Sequence, residues 1–479
     1  MPFRDMRDYL AALEQQNLVK RIVRKVDQNW EVACLAKWMF QALPIDQRFG
    51  LYFQNITGST IPVVTGALGA CPASVAVALQ CEVEEINDTV VAALRNPIKP
   101  RTVAGAVCQE VVATGRDASL DTLPIVTWTP GKDKAPYLTT IVVTRDHDTG
   151  IPNMAVYRTM VRDSRSVVVN LSPNRHGTKN VQTWTAKGKK APIAWVIATE
   201  PVIHLATVAN LAYGQDEIEL AGGLKREAID LVRCKTIDLS VPANAEIIVE
   251  AEIAPGEIAD EGPFGEFAGY TGQVDKRPVA HVTAITHRRD PIFYGYTSQM
   301  PPSESTTIQS LMNAGVILRT LRDHIGEQAV HDIWIDLTFG GHLAHGIVAM
   351  TPQFPGHGKR VGRTIADTTL LKRITVVDAD VDIRDSLHVD WALNSRFSPQ
   401  RDTVIVDDVF FPIDSATHDA RGNVWQSSKL ILDATQKIDS GTFSLPPKDM
   451  MIKALNVWKE CGLPEFDIPR RAKLRLDRS

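Results

Sequence analysis

The chain has 479 residues, and its 52 Lys and Arg against 56 Asp and Glu leave a formal net charge of −4. This near balance argues against a protein that grips a nucleic-acid backbone, which needs a basic surface. Hydrophobic residues make up 44% of the sequence, too many for a disordered chain. At roughly 150 residues per domain, the length predicts about three units or two large ones.

The cysteines and the apolar runs bear on the cellular compartment. None of the six cysteines forms a C-x-x-C pair, which disfavours a disulfide framework or a structural zinc site and favours buried thiols in a reducing cytosol. The N-terminus carries charges where a signal peptide has its apolar core, and no apolar run approaches the ~18 residues of a membrane span. We therefore expect a soluble, cytoplasmic protein.

Residues 1–110 are expected to form an N-terminal α/β region. Asp5 and Asp8 stand before leucines at helical spacing and predict a capped helix. Further on, the patterns predict a helix over 30–43, a short strand from Ile61 and a helix with an acidic start over 81–93.

Residues 111–302 are rich in short β-branched runs between turn residues, with few helical patterns, which predicts a mixed or antiparallel sheet that could close into a barrel. The predicted strands are Thr139–Thr144, Ser166–Leu171, Ile193–Ala198, Glu246–Ile253, Val279–His287 and Ile292–Thr297.

A long connecting helix is predicted over 303–327, with Ser303 as its N-cap and Gly326 as its stop. Residues 328–479 alternate strands and helices, which predicts an α/β domain with a mainly parallel sheet. Its tail is polar and irregular, with one helix near Met451–Cys461, and is expected to pack on another subunit.

The densest chemical signal is the segment 260–270, in which Glu261 and Glu266 flank Gly-Pro-Phe-Gly. Glycine and proline disfavour a helix, so the carboxylates are predicted on a shaped loop. Neighbouring carboxylates push their pKa values apart, which suits acid–base work. By residue type alone a solvated acidic turn is favoured, and Asp260 is expected to face solvent.

Three further segments supply candidate ligands. Asn153 and Arg158 follow a glycine turn, His176 stands in a loop bounded by Pro173 and Gly177, and Glu217 precedes a small-residue stretch. Asn, His and Glu form an oxygen and nitrogen set that suits magnesium or manganese, ions that often also bind phosphate. Turn residues, surface side chains and an acidic helix start are the ordinary alternatives.

Two other motifs are read as structural. His342 and His345 form an H-x-x-H pair without a nearby carboxylate pattern, as ordinary loop or strand histidines do. Asp378, Asp380 and Asp382 alternate after an apolar strand but lack the glycine and glutamate of a calcium loop, so we read a strand end and turn.

Taken in order, these segments resemble the UbiD family of prenylated-FMN-dependent decarboxylases over nearly the whole chain. The resemblance lies in Phe3–Leu10, Gly105–Glu110, Asn153–Arg158, Glu246–Ile253 leading to Glu261–Glu266, Thr375–Asp382 and Leu430–Thr435. It implies that residues 111–302 are a split-barrel-like domain that binds prenylated FMN, and that 328–479 is an α/β oligomerisation domain.

The resemblance also implies the site residues. Asn153, His176 and Glu217 match a site where manganese, or magnesium, ties the flavin phosphate to the protein. Backbone oxygens at a small-residue strand end hold potassium in the family, with Ala206, Thr207 and Ala209 as equivalents. Further cofactor-binding residues are expected to be Met154, Arg158, Arg175 and Lys359.

Arg158, Glu261 and Glu266 match the family's catalytic group. The resemblance implies reversible, non-oxidative decarboxylation of an aromatic, heteroaromatic or α,β-unsaturated acid, with the modified flavin as electron sink. Arg158 would hold the carboxylate, Glu266 would donate the proton, and Glu261 would orient Arg158. Arg175 could bias the pocket towards an anionic substrate.

Two alternatives stay open. A conventional FMN-dependent oxidoreductase would use the same central domain, although no G-x-G-x-x-G nicotinamide motif is evident. A non-catalytic subunit of a carboxylase complex would not need both glutamates. Expected partners are a small acid or its coenzyme A thioester, a flavin prenyltransferase and further copies of the chain in a homodimer or hexamer, with the substrate pocket around Tyr296–Met300.

Overall fold

The structure is a computed structural model that describes residues 2–173, 175–338, 344–409, 411, 414–417, 424–439 and 441–478. Its helices are α1 Met6–Gln15, α2 Glu31–Ala42, α3 Pro72–Leu79, α4 Ile86–Arg95, α5 His176–Thr185, α6 Pro201–Ala206, α7 Glu217–Lys225, α8 Glu304–Arg319, α9 His357–Thr368, α10 Ser386–Ser395, α11 Pro399–Asp402, α12 Lys448–Glu460 and α13 Arg470–Leu476.

The strands are β1 Val19–Ile22, β2 Gly50–Phe53, β3 Val63–Thr65, β4 Arg101–Thr102, β5 Val111–Thr114, β6 Tyr137–Leu138, β7 Ile141–Arg145, β8 Pro152–Val156, β9 Thr159–Asp163, β10 Ser166–Val169, β11 Ala191–Ile197, β12 Asp230–Arg233, β13 Ser240–Pro242, β14 Ile247–Glu261, β15 Asp275–His287, β16 Phe293–Tyr294, β17 Val330–Ile335, β18 His345–Met350, β19 Arg373–Asp378, β20 Thr403–Val409 and β21 Ser427–Asp433.

The chain divides into two compact units. One is built from Met1–Val316 and two short later segments, and the other from Ile317–Asp336 and most of the chain that follows. The domain boundaries 1–110, 111–302, 303–327 and 328–479 stay predictions.

The centre of the first unit is a nine-stranded antiparallel sheet, one of the two arrangements, mixed or antiparallel, that the sequence predicts. Its order is β6-β9-β10-β15-β14-β11-β7-β8, with β5 beside β15. Every residue of β11 is buried, as expected for a β-branched strand in the middle of a covered sheet. The sheet is curled into a half-barrel, and its end strands β6 and β8 do not pair with each other in the described chain.

A smaller sheet has the order β1-β2-β3-β16, and α1 contacts β1. Asp5 caps α1 by accepting from the backbone N–H groups of Arg7 and Asp8, as the sequence predicts. Ser303 Oγ likewise accepts from Thr306 N at the start of α8. A π-helical segment, Thr320–Ile325, follows α8 directly and ends at Gly326, whose φ is 79°. The third sheet of this unit is β13-β12-β4.

The second unit holds one five-stranded sheet of order β17-β18-β19-β21-β20. Its inner pairs are parallel and both edge pairs are antiparallel. The prediction of a mainly parallel sheet was therefore wrong at the edges, because buried apolar strands look alike in either direction. The tail has two helices, α12 and α13, where one was predicted.

Several smaller expectations can be compared with the structure. Asp378 ends β19, and Asp378 and Asp380 both bind Arg396, which confirms a strand end and turn. His342 of the H-x-x-H motif lies outside the described residues, and His345 lies in β18. The six cysteines are free, and two of them, Cys71 and Cys108, are buried. Within the described residues, no helix is long and apolar enough to span a membrane.

Candidate active site

Arg158 lies between β8 and β9, on a backbone held by a hydrogen bond from Asn170 N to Arg158 O. Its Nε and Nη2 donate to the two carboxylate oxygens of Glu261, each over 2.9 Å. Glu261 is the last residue of β14 and its side chain is 0% exposed. The predicted loop position of Glu261 was therefore wrong: the long strand β14 carries this carboxylate into the interior.

Glu266 approaches the same guanidinium from the following loop. Its Oε1 accepts from Arg158 Nη1, and its side chain is 21% exposed. The loop closes on itself through hydrogen bonds from Glu266 N to Tyr270 O and from Gly272 N to Phe264 O. Gly272 packs against this carboxyl, and a Cβ at position 272 would lie 2.7 Å from Glu266 Oε1. Asp260 faces solvent as predicted and pairs with Lys276.

The two carboxylates use different numbers of oxygen atoms. Both oxygens of Glu261 accept from Arg158, whereas Glu266 uses only Oε1, and no donor to its Oε2 is found among the described residues. Arginine has five N–H donors, so two remain for a further anion. The geometry thus provides a guanidinium with spare donors beside a carboxyl with a spare oxygen.

Electrostatics keep Arg158 charged. Burial alone would lower the pKa of Arg158, but the charges and hydrogen bonds of Glu266 and Glu261 outweigh burial and raise it. The ring of Phe264 lies 5.2 Å from the guanidinium carbon and covers it, an arrangement that favours a cation. Arg158 therefore remains a cation at any physiological pH.

The predicted ligand residues lie on three neighbouring elements. Asn153 belongs to β8 and is 3% exposed, and no partner for its Nδ2 occurs in the described part of the chain. Glu217 begins α7, and its Oε2 accepts from Met154 N over 3.0 Å. His176 begins α5, whose Gly177 N donates to the Tyr157 hydroxyl. His176 was predicted in a loop, so that prediction was wrong, and Asn174 lies outside the described residues.

Burial shifts the pKa values of two of these residues. Burial raises the pKa of Glu217 to about 7. Burial, with the charges of Lys179 and Arg175, lowers the pKa of His176, so its ring is neutral and able to bind a metal near pH 7. A buried amide, a carboxyl and a neutral imidazole fit a divalent cation. Across the described residues, no group of three or more His, Cys, Asp or Glu side chains could hold a metal by itself.

The remaining predicted site residues are Ala206, Thr207, Ala209, Arg175 and Lys359. Ala206 ends α6, and Thr207 and Ala209 follow it, so the predicted strand end was wrong and is a helix end. The Ala206 carbonyl already accepts from Ala209 N. Arg175 is exposed at the N-cap of α5. Lys359 lies on α9 in the second unit, where its Nζ donates to Arg401 O.

The residues predicted to line the substrate pocket, Tyr296–Met300, have different surroundings. Tyr296 is buried, and its hydroxyl bonds to His204 Nδ1. Gln299 instead packs on Gly265, whose Cβ would lie 2.9 Å from it. Sequence reasoning missed Tyr137, which packs on Phe264 at a ring separation of 4.3 Å, because nothing local in the sequence links them.

Comparisons with known proteins match almost the whole chain. Residues 10–94, 101–301 and 306–434 match the N-terminal, Rift-related and C-terminal domains of 3-octaprenyl-4-hydroxybenzoate carboxy-lyase, the UbiD domains. An uncharacterized protein of Synechocystis sp. is 28% identical over 467 residues, which cover 92% of this chain and 91% of that protein.

Solved structures of UbiD-class enzymes are also similar. An evolved dimeric form of HmfF from Pelotomaculum thermopropionicum, in complex with prFMN, is 30% identical with a TM-score of 0.82, covering 94% of this chain and 98% of that one. Apo 3,4-dihydroxybenzoic acid decarboxylase from Klebsiella pneumoniae is 25% identical with a TM-score of 0.81, covering 94% and 99%. Vanillic acid decarboxylase from Sedimentibacter hydroxybenzoicus shares the fold at 24% identity, with a TM-score of 0.82 and coverage of 96% and 99%.

Proposed function

Because this chain belongs to the UbiD family and is a carboxy-lyase, we propose that it decarboxylates an aromatic, heteroaromatic or α,β-unsaturated carboxylic acid, reversibly and without oxidation. The observation that carries the proposal is the position of Arg158 between two carboxylates. Glu261 binds it through two oxygens, and Glu266 binds it through one. An oxidoreductase would need a hydride or electron donor, whereas this group is suited to holding an anion and supplying a proton.

Each residue has a separate role in this proposal. Arg158 uses its two spare N–H donors to bind the substrate carboxylate, as planar guanidinium groups do. Glu261 binds one edge of the guanidinium, Nε and Nη2, through two hydrogen bonds and fixes its orientation. Glu266, which is partly exposed and has Oε2 without a partner among the described residues, delivers the proton that replaces carbon dioxide.

The cofactor belongs to the same proposal. We assign prenylated FMN to the face formed by Asn153, Met154, His176 and Glu217, with Arg175 at its edge, and manganese or magnesium to Asn153, His176 and Glu217. The fit rests on the buried Glu217 carboxyl for the cation and on the unpartnered Asn153 Nδ2, which can donate to an oxygen of the cofactor phosphate. When bound, the modified flavin supplies the electron sink for carbon dioxide loss. Potassium at Ala206, Thr207 and Ala209, and a phosphate contact at Lys359, stay predictions.

The role of Glu266 is tested by Glu266→Gln in protein co-expressed with a flavin prenyltransferase. We expect turnover to fall at least 100-fold, because the amide keeps the shape but cannot donate an acid proton. Flavin absorbance should remain, which separates lost chemistry from lost cofactor. Asp260→Asn, at the exposed neighbour that pairs with Lys276, is the matched control and should keep wild-type turnover. Wild-type rates in Glu266→Gln would refute the assignment.

The cofactor assignment has its own test. Glu217→Gln and His176→Ala should each lower the manganese and flavin content of the purified protein, measured by metal analysis and absorbance. The amide and the missing imidazole each remove a ligand that a hard cation needs. Glu219→Gln, in the same first turn of α7, is the control. Full metal and flavin content in Glu217→Gln would contradict the site.

Assembly and cofactor supply complete the proposal. The similar HmfF structure is of a dimeric form, and we propose that this chain also forms a homo-oligomer, a dimer or a hexamer. Light scattering at several protein concentrations measures this directly, and a monomer at all of them would contradict it. Protein made without the prenyltransferase should lack activity and recover it when the enzyme is supplied.

A further inference from the structure

Tyr213 lies in the connection between α6 and α7, shortly before Glu217. Its ring packs against the imidazole of His176, with 5.2 Å between the ring centroids and an angle of 74° between the ring planes. This edge-to-face arrangement is a favourable geometry for two such rings. Tyr213 is 43% exposed, so it gains little from burial, and its contacts with particular groups decide where its ring lies.

The hydroxyl of Tyr213 is attached to the turn between β7 and β8. It donates to Asp146 Oδ2 over 3.3 Å, and Asp146 is 4% exposed. The other oxygen of Asp146 accepts from the backbone N–H groups of Asp148 and Thr149, each over 2.8 Å. Three donors therefore hold this carboxylate, and the carboxylate in turn holds the hydroxyl end of the Tyr213 ring. The strand that follows the turn, β8, carries Asn153.

Helix α5 contacts the Tyr213 ring a second time through Lys179. The Nζ atom of Lys179 lies 5.1 Å from the centroid of that ring, within the range of a cation–π contact. His176 and Lys179 are three positions apart in α5, so their side chains lie on the same face of the helix. Tyr213 therefore meets α5 at two points on the face that carries the predicted metal ligand.

These contacts complete the links between the three elements that carry the proposed ligands, β8, α5 and α7. Asn180 Nδ2 of α5 donates to the carbonyl of Ile151, the residue before β8. Glu217, at the start of α7, accepts from Met154 N of β8. Tyr213 adds a contact between α5 and the segment that leads into α7. All of these residues belong to the first compact unit.

We propose that Tyr213 is a positioning residue that holds the imidazole of His176 in the orientation in which it binds the divalent cation, with Asp146 as its anchor. This inference rests on the proposed cation site at Asn153, His176 and Glu217. A contact between rings uses neither imidazole nitrogen, so both nitrogens stay available to a cation. A side chain that is already held in place loses less conformational freedom when it binds.

The test measures Mn(II) binding to the full-length protein, freed of metal and supplied with excess FMN. The electron paramagnetic resonance signal of free Mn(II) gives the dissociation constant without any turnover. We expect Tyr213→Leu to weaken binding about five- to tenfold, because the imidazole loses the ring that orients it. Tyr213→Phe keeps the ring and should retain most of the affinity. Trp38→Leu, at an aromatic residue of α2 that is 70% exposed, is the control and should bind Mn(II) as wild type does.

A double-mutant cycle shows whether Tyr213 acts through His176. In the His176→Ala background the imidazole is absent, so Tyr213→Leu should cause no further loss of Mn(II) affinity. A full additional loss in that background would mean that Tyr213 acts on another part of the site, and would overturn the inference. A wild-type dissociation constant in Tyr213→Leu, or equal losses in Tyr213→Phe and Tyr213→Leu, would overturn it as well.

Thermal stability and a second variant separate the remaining outcomes. If Tyr213 only stabilises its loop, Tyr213→Leu lowers the thermal midpoint of the metal-free protein but leaves the Mn(II) affinity unchanged, which would count against the inference. If Glu217→Gln loses Mn(II) binding and Tyr213→Leu does not, the cation site stands and only the role of Tyr213 fails. If wild-type protein with FMN binds no Mn(II), the proposed cation site fails, and the role of Tyr213 fails with it.

Discussion

Arg158 is a buried cation whose position depends on two carboxylates that reach it from different elements. Removing one partner of a buried ion pair leaves the other charge uncompensated, which costs about 3–5 kcal/mol. Glu261 therefore stabilises the site as well as orienting it, whereas the side chain of Glu266 is partly exposed. The division of roles between the two glutamates follows from this difference in burial.

Gly272 controls the position of the Glu266 carboxyl. In Gly272→Ala the new Cβ would lie 2.7 Å from Glu266 Oε1, so the carboxyl must move away from Arg158. We expect kcat to fall about tenfold or more, because small misplacements of a catalytic group are costly. Far-ultraviolet circular dichroism should match wild type.

The control is Gly105→Ala, at a glycine with open space where a Cβ would lie. It should keep full activity. If Gly272→Ala also kept full activity, the position of Glu266 next to Arg158 would not matter for turnover.

At the scale of elements, the start of α8 is tied to the small sheet through one buried carboxylate. Glu304 is 0% exposed, and its Oε2 accepts from Gly66 N and Thr297 N. Its Oε1 accepts from Leu68 N over 3.1 Å and from the Tyr294 hydroxyl. Four donors on one carboxylate fix the helix against the turn after β3.

Glu304→Gln tests this arrangement. An amide would turn an NH₂ group towards these donors, so at least one buried backbone N–H would lose its acceptor. We expect the free energy of unfolding to fall by about 1–3 kcal/mol, from the usual cost of an unsatisfied buried group. Chemical denaturation of the metal-free protein measures it.

Glu219→Gln serves as the control here too, since Glu219 lies on a different helix and is not fully buried. Surface substitutions usually change the free energy of unfolding by less than about 0.5 kcal/mol. If Glu304→Gln changed it by no more than that, the carboxylate would not hold α8 in place.

For the whole molecule, buried titratable groups make stability depend on pH in opposite directions. Burial raises the pKa of Asp133 and of Glu304 to about 6. The free energy of unfolding that these raised pKa values contribute is complete below the ordinary pKa values and is lost as pH rises through 6. Burial lowers the pKa of His204 to about 3. Its contribution is complete above 6.5 and is lost as pH falls from there towards 3.

Asp133→Asn should isolate the part of the pH dependence of stability that comes from Asp133. The variant cannot ionise, so it should be more stable than wild type above pH 6, and the difference should shrink towards zero below pH 4. Denaturation midpoints measured from pH 4 to pH 8 test this. Parallel curves for the two proteins would mean that Asp133 titrates normally in the folded state.

Much of the fold could be predicted because local patterns are strong where strands are long and buried. The strands β7, β10, β11, β14 and β15 and the caps at Asp5 and Ser303 follow from periodicity and capping chemistry. The start of α5 was missed since Pro173 and Gly177 normally favour a loop. Glycine suits position 177 in this helix because a Cβ there would lie only 2.9 Å from the Tyr157 ring.

The sequence by itself determined which residue types are available, the order of the elements and, through its motifs, the identity of Arg158, Glu261 and Glu266. Only the tertiary structure decided that Glu261 is buried at the end of β14 and that Glu266 binds Arg158 through one oxygen. The physical reason is separation along the chain: Arg158 and Glu261 are 103 residues apart, and their contact depends on strand register and burial, which no local pattern encodes.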